Sequence, residues 1–269
     1  MINSILRYLR LYGALARYSL TREMAFRGNF LVKITVEILW LGILLAFYAT
    51  IFSKTSVVAS WSQYQYLFFI GCYFTLEGIL ETLFLENCHQ FSELVRSGDL
   101  DLYLLKPIDE QFLFSCRHVD WSTVPNIFMG CGLMGVALYC MNWQFDLLQV
   151  SLFVVALGCG VLMAYSFLFM LTSVSVWLTR NQSLHELWWL LTTLMRYPRD
   201  IFNGAWAPMG WFFSFVIPVM LVINVPARVM VKIIEPEMIA WAAVSTIALV
   251  SLSRLFFSFA LRRYRSASS

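Results

Sequence analysis

Charge is what this chain has least of. Only 13% of its 269 residues are Asp, Glu, Lys or Arg, where a soluble domain would need roughly twice that to solvate its surface. Nothing resembles G-x-x-x-x-G-K-[ST], and no Gly-rich turn follows a strand, so the chain has no means of cradling nucleotide phosphates and hydrolysing ATP alone. Histidine is sparse and scattered at His89, His118 and His185. Cys116-Arg-His118 lacks the further ligands that a zinc site needs. The six cysteines show no C-x-x-C spacing and lie mostly within apolar runs, where a thiol behaves as a small hydrophobe. Ser173 and Ser175 have no His/Asp partner in any recognisable arrangement, which leaves nucleophilic catalysis unsupported. A formal charge of +3, its basic residues lying near the ends of apolar runs, excludes nucleic acid as a partner. Arg7, Arg10 and Arg17 interrupt any apolar core of a cleavable signal.

Apolar surface is what the chain has in excess. Hydrophobic residues make up 60%, aromatics 17%, and mean hydropathy is +0.71. That surplus has to face lipid, which predicts an all-α, polytopic membrane protein of six spans. Four spans lie over 30–52, 64–85, 121–141 and 147–178, and the last over 238–261. The fourth exceeds the ~20 residues a bilayer needs and should tilt or project. The fifth has two readings. Hydropathy alone selects 205–225, because the preceding segment carries His185, Glu186, Arg196, Arg199 and Asp200. Pro208 and Pro218 punctuate that run, however, and the alternative is a span over 182–201 followed by a re-entrant hairpin over 205–232.

Residues 1–27 are predicted not to span. Ile2, Ile5, Leu9, Tyr12, Ala16 and Leu20 share one helical sector, opposite Arg7, Arg10, Arg17 and Arg22. Such a helix lies in the headgroup plane. Lys and Arg then set the sidedness. They gather in the first 27 residues, in the loop 86–118 (Arg96, Lys106, Arg117) and after 261. The opposite loops hold only Lys54, Arg228 and Lys232. Both termini and the 86–118 loop are therefore expected in the cytoplasm, with residues 28–269 forming one transmembrane domain.

Two features inside the apolar runs could carry function. Lys33 and Glu37 are four apart in the first span; Glu77 and Glu81 are four apart in the second. Counted at ~1.5 Å per residue, Lys33, Glu37 and Glu81 fall at similar depth with Glu77 deeper. Charge there costs a few kcal/mol unless paired or wet. The group reads either as a gating or substrate-contacting network or as a structural pair such as Lys33–Glu81. Trp188, Trp189, Trp206, Trp211, Phe212, Phe213 and Phe215 crowd the fifth-span region, as an interfacial belt or as a surface for an amphiphilic substrate.

The polar island Arg96-Ser-Gly-Asp-Leu-Asp-Leu-Tyr-Leu-Leu-Lys-Pro107 interrupts all this. Together with Tyr197-Pro-Arg-Asp-Ile-Phe202, Ile217-Pro218 and Val225-Pro226-Ala227 it resembles the permease subunits of bacterial ATP-binding cassette transporters of the type-2 export class, the roughly 260-residue permeases that act with a sister subunit and a separate ATPase. That resemblance implies a bacterial inner-membrane permease with no catalytic, metal or cofactor site of its own. ATP and Mg would sit on a cytoplasmic ATPase dimer; the other partners would be a second permease and membrane lipid. It favours 182–201 as span five with an outer hairpin. It also implies that the 86–118 loop contacts the ATPase: Gly98 permits a sharp turn, Pro107 bounds a short helix, Asp99 and Asp101 cap it or pair with the partner, and Leu100, Leu104 and Leu105 form an apolar ridge, flanked by Arg96 and Lys106. Two rival readings are a lipid-processing membrane enzyme using Glu77, Glu81 or His185, and a channel or scaffold needing no nucleotide.

Overall fold

A computed structural model describes residues 2–178, 182–232 and 236–264. The chain is almost wholly helical and builds a polytopic membrane domain. Helix α1 (Ile2–Ala25) is followed after a single residue by α2 (Arg27–Phe52). A two-residue antiparallel ribbon, β1 (Val57–Val58) and β2 (Trp61–Ser62), turns the chain at the far end. From there α3 (Gln63–Leu80) runs back, passes through a π-turn at Glu81–Leu85 and continues as α4 (Glu86–Ser97). Helices α5 (Leu100–Leu104) and α6 (Glu110–Cys116) fill the loop, and the long helices α7 (Val124–Cys140) and α8 (Leu147–Ser173) follow. Short helices α9 (Gln182–Met195), α10 (Ala207–Phe215) and α11 (Leu221–Val231) precede α12 (Pro236–Arg263).

Among the described residues five helical stretches are long and apolar enough to cross a membrane: Arg27–Phe52, Gln63–Ser97, Trp121–Cys140, Leu147–Val176 and Pro236–Arg263. They coincide with the expected spans one to four and six, with one extension. The second runs 12 residues past Leu85, because the π-turn absorbs the polar entry at Glu86 without ending the helix. The fifth is different. The 205–225 run is not one helix; it breaks between Phe215 and Leu221, where Pro218 cannot donate and Met220 N–H reaches back to Phe213 O at 2.9 Å. The pieces are ~14 Å and ~16 Å long, too short for a ~30 Å hydrocarbon core. Helix α9 occupies 182–195 of the rival reading but stops at Met195, before Pro198.

Helix α3 is the centre of the core: most of its residues from Tyr66 to Leu80 are buried. Close approach makes this possible. A Cβ on Gly71 would lie 2.6 Å from Met134 Cγ and 2.8 Å from Gly130 O, and one on Gly78 would lie 2.9 Å from Ile127 N. The α3–α7 seam is therefore backbone against backbone, the packing that small residues permit when lipid supplies no hydrophobic drive between helices. Helix α11, though short, is buried along nearly its whole length against α8 and α3. By contrast α2 fully buries only Leu41 and Tyr48, with Leu44, Leu45, Ile51 and Phe52 partly buried against the core.

Candidate functional site

The buried charge collects in one cleft. The π-turn starts at Glu81 and keeps its side chain on the same side as Glu77, one turn earlier. Both face α2, which presents Glu37, and the three carboxylates line a cavity of about 420 Å³ together with Trp40, Trp189 and Arg196. Arg196 follows α9. Its Nε donates to Tyr73 Oη at 2.8 Å, and Tyr73 in turn donates to Glu77, whose carboxylate lies 3.9 Å from Arg196 Nη2. The guanidinium also sits over the rings of Tyr73 and Trp40, at 5.1 and 5.6 Å. Asn126, near the start of α7 and only 2% exposed, gives its amide Nδ2 to Glu37 and Glu81, each at 3.1 Å.

Three members of the anticipated charge network thus meet, and one does not. Lys33 pairs with Asp120 at 3.2 Å, half-exposed, rather than with Glu81. The reason is local: the 3-10 turn after Asp120 brings that carboxylate to the mouth of the bundle, where a lysine remains solvated. Arg196 and Asn126 are the participants that sequence reasoning missed. Arg196 was visible only as a charge that spoiled a hydropathy window, and nothing in the spacing points to Asn126. Of the aromatic group, Trp189 lines the cleft and Trp188 is buried, while Trp206 and Trp211 face outward. The His185 side chain lies outside the described residues. Among the described residues no three His, Cys, Asp or Glu are placed to share a metal ion.

The loop is a second site. Gly98 adopts φ +82° and ends α4 in the left-handed conformation, the turn expected of it. Pro107 follows the end of α5, and Asp109 begins α6 by accepting from Phe112 N at 2.9 Å. Two expectations are corrected. Leu100 is fully buried and Leu104 packs against the core, so the exposed apolar pair is Leu102 and Leu105, at 64% and 82% exposure. The turn at Gly98 sets the phase of α5, and five residues are too few for periodicity to reveal it. Asp99 stands at the capping position but accepts from Ser97 Oγ (2.8 Å) instead of a helix N–H. Asp101 lies beside the Tyr264 hydroxyl. Arg96 pairs with Glu93 on the exposed face, and Lys106 lies over the Tyr103 ring.

This loop is clamped. Tyr8 Oη accepts from Asp109 N at 3.1 Å, and its ring meets Phe112 edge-on. Arg254 of α12 grips the Asp109 carboxylate. Partial burial works against the charged form, but Arg254 and the Phe112 N–H together hold this carboxyl below its ordinary pKa. Further along, Trp121 donates its ring N–H to Ala16 O and its backbone N–H to Glu23. Burial keeps Glu23 above its usual pKa. His118 Nδ1 meets Ser19 Oγ at 2.8 Å, and Arg22 Nη2 donates to Nε2 at 3.0 Å. Burial first and Arg22 second hold this ring below its ordinary pKa. Arg22, though exposed, therefore has a protein partner in His118. The apolar sector of α1 divides likewise: Tyr12 and Ala16 face the loop, while Leu9 remains 62% exposed.

At the far end Asp200 ties three elements together. It accepts from Trp61 Nε1 at 2.7 Å, pairs with Arg228, and lies 3.5 Å from Lys232. Asn224 takes the Arg199 N–H at 2.8 Å, and the Gln65 and Gln149 amides take the last carbonyls of α11. A family model described as ABC-2 family transporter protein matches residues 38–268. Neither a curated protein nor a solved structure matches the chain.

Proposed function

We propose, from the premise that this chain belongs to the ABC-2 family of transporter proteins, that it is the permease subunit of an ATP-driven exporter. It performs no covalent chemistry. A separate cytoplasmic ATPase dimer binds ATP and Mg, and a second permease, a sister chain or a copy of this one, completes the path. The end that carries both termini faces the cytoplasm of a bacterial inner membrane. The short helices α10 and α11 form a hairpin that enters from the outer side without crossing.

One observation carries the reading: Leu102 on the five-residue helix α5 and Leu105 just after it project from a segment whose flanks are anchored to the bundle. An exposed apolar pair on a rigidly held loop is a handle for a groove in a partner. The anchors, Tyr8 on α1 and Arg254 on α12, convert a push on that handle into motion of whole helices rather than bending of the loop. The test is Leu105→Asp in the chain co-expressed with its ATPase. Loss of ATPase co-purification, with membrane insertion unchanged, is expected. Wild-type co-purification and wild-type ATP hydrolysis in proteoliposomes would remove the coupling role from α5.

A further inference from the structure

Helix α1 is held to the bundle along one face and leaves the opposite face unpartnered. The contacts of its inner face recur at helical intervals: Tyr8 takes the Asp109 N–H, Ala16 O takes the Trp121 ring N–H, Ser19 meets His118, and Glu23 accepts from Trp121 N. They extend over ~22 Å of helix. At about 3.6 residues per turn, Arg10 and Arg17 project about 180° away from Tyr8 and Ser19, with Arg7 to one side. All three arginines are exposed, and among the described residues none has an ion-pair or hydrogen-bond partner. The one acid of α1 is Glu23, on the inner face, so nothing on the outer face offsets them.

A second row says what this face meets. Leu6, Leu9 and Leu20 lie about 60° to the other side of Arg10 and Arg17, at 45%, 62% and 36% exposure. Phe26, 71% exposed, is the single residue between α1 and α2, and α2 is long and apolar enough to cross a membrane. Helix α1 therefore lies where the chain leaves the hydrocarbon. An acidic protein would satisfy the arginines and leave three leucines and a phenylalanine in water. A lipid surface takes both rows, the leucines among the upper acyl carbons and the guanidinium groups against phosphate oxygens. Three positive charges with no acid among them select a leaflet of net negative charge over a zwitterionic one.

We infer that the outer face of α1 is a docking surface for anionic phospholipid, and that lipid charge thereby sets how firmly the 98–117 loop is braced. The inner-face contacts supply the linkage. Tyr8 holds the start of α6, while Ser19 and Glu23 hold residues 118–121, which close the loop. A helix pressed onto the membrane keeps these contacts together; one released from it frees the loop at both attachments. The inference rests on the transporter reading only for the loop's role towards an ATPase; the lipid binding needs none.

The test is hydrogen exchange of the purified full chain in nanodiscs of phosphatidylcholine alone or mixed equally with phosphatidylglycerol. An arginine at an anionic surface is worth about fivefold in binding. Amides of residues 6–20 should therefore exchange roughly tenfold more slowly in the anionic discs, and those of 98–117 should slow in step. Raising salt from about 0.1 M to about 1 M shortens the Debye length from about 10 Å to about 3 Å and should erase most of the difference. The Arg7→Gln/Arg10→Gln/Arg17→Gln variant should exchange alike in both discs, while Lys54→Gln, beyond the far end of α2, should behave as wild type. Equal exchange of the wild-type chain in the two lipids overturns the inference without any variant having to fold. So does slowing of α1 that leaves 98–117 unchanged, or slowing that needs an added ATPase, which would assign the arginines to a protein. The two-lipid comparison contains no ATPase, so its failure leaves the transporter reading standing. A Leu105→Asp chain that keeps its ATPase would strike that reading and leave this one.

Discussion

Adding one methyl group at Gly78 should both strain the bundle and disarm the cleft. The Cβ of Gly78→Ala would sit 2.9 Å from Ile127 N and 3.0 Å from Asn126 Cβ. Ordinary contact lies beyond about 3.4 Å, so the start of α7 must retreat by roughly half an ångström, because a backbone nitrogen cannot rotate aside. Asn126 rides on that segment. Moving it away from α3 stretches its 3.1 Å hydrogen bond to Glu81 to about 3.6 Å, outside hydrogen-bonding range. Overpacking costs about 1–3 kcal/mol, and loss of a hydrogen bond to a charged group about 1.5–3 kcal/mol. Replacing Gly by Ala within a helix returns up to about 1 kcal/mol. The net expectation is a destabilisation of about 1.5–6 kcal/mol. Gly132→Ala on α7 is the control, since a Cβ there meets nothing within 4 Å and should be neutral or stabilising by up to about 1 kcal/mol. Unfolding midpoints of the two variants in detergent solution, measured in parallel, decide the matter. If Gly78→Ala is as stable as Gly132→Ala, the close seam and the argument that α7 cannot yield are both refuted.

Two other perturbations act at opposite ends of the bundle. The depressed pKa of Asp109 means that its stabilising contribution is present above the ordinary aspartate range and is lost as pH falls through the lower folded value, below about 4. Asp109→Asn should therefore flatten the acid limb of the unfolding midpoint against pH, modestly because the carboxylate is a third exposed, and an unchanged acid limb would exclude the Arg254 grip. At the far end, Asp200→Asn removes the carboxylate that Arg228 and Lys232 share beside a buried indole. Breaking a mostly buried pair costs about 3–5 kcal/mol, discounted here because some water reaches these groups; a thermal midpoint within error of wild type would contradict it.

How much of this was legible beforehand depended on the range of the interaction. Gly98 was readable because a left-handed helix end is set by its own backbone. Glu77 and Glu81 were readable because i,i+4 spacing forces a common face, and the limits of the first, third, fourth and last spans were readable to within three residues because lipid imposes length. Partnerships across the bundle were not. Lys33 could be offered Glu81 from depth alone, yet depth says nothing about azimuth, and the 3-10 turn at Trp121–Thr123 had already brought Asp120 closer. Arg196 meets Glu77 from 119 positions away through a helix that hydropathy had placed ambiguously. Leu100 and Leu104 were assigned to the exposed ridge, where only Leu105 belongs, for a different reason. Which side of a single helical turn faces inward depends on its tether, and Leu100 follows Gly98 by only two residues.

The two candidate sites are physically continuous, and the path between them is short. From the clamped segment at Asp109, the chain reaches His118, locked to Ser19 and Arg22 of α1, and then Asp120. Asp120 does three things at once. It caps the turn that starts the α7 segment through Ser122 N, binds Lys33 of α2, and gives its backbone N–H to Thr82 O inside the π-turn, at 2.9 Å. Thr82 and Thr123 hydroxyls join the same two segments at 2.9 Å. One turn beyond, Asn126 reaches Glu37 and Glu81. A displacement of the loop therefore arrives at α2, the π-turn and α7 together, since Asp120 or its neighbours hold all three. Those elements carry Glu37, Glu81 and the amide that joins them. A π-turn is the place in a long helix where a carbonyl is available to an outside donor. Here that donor comes from Asp120, which ties the π-turn of the second span to the segment that follows the loop.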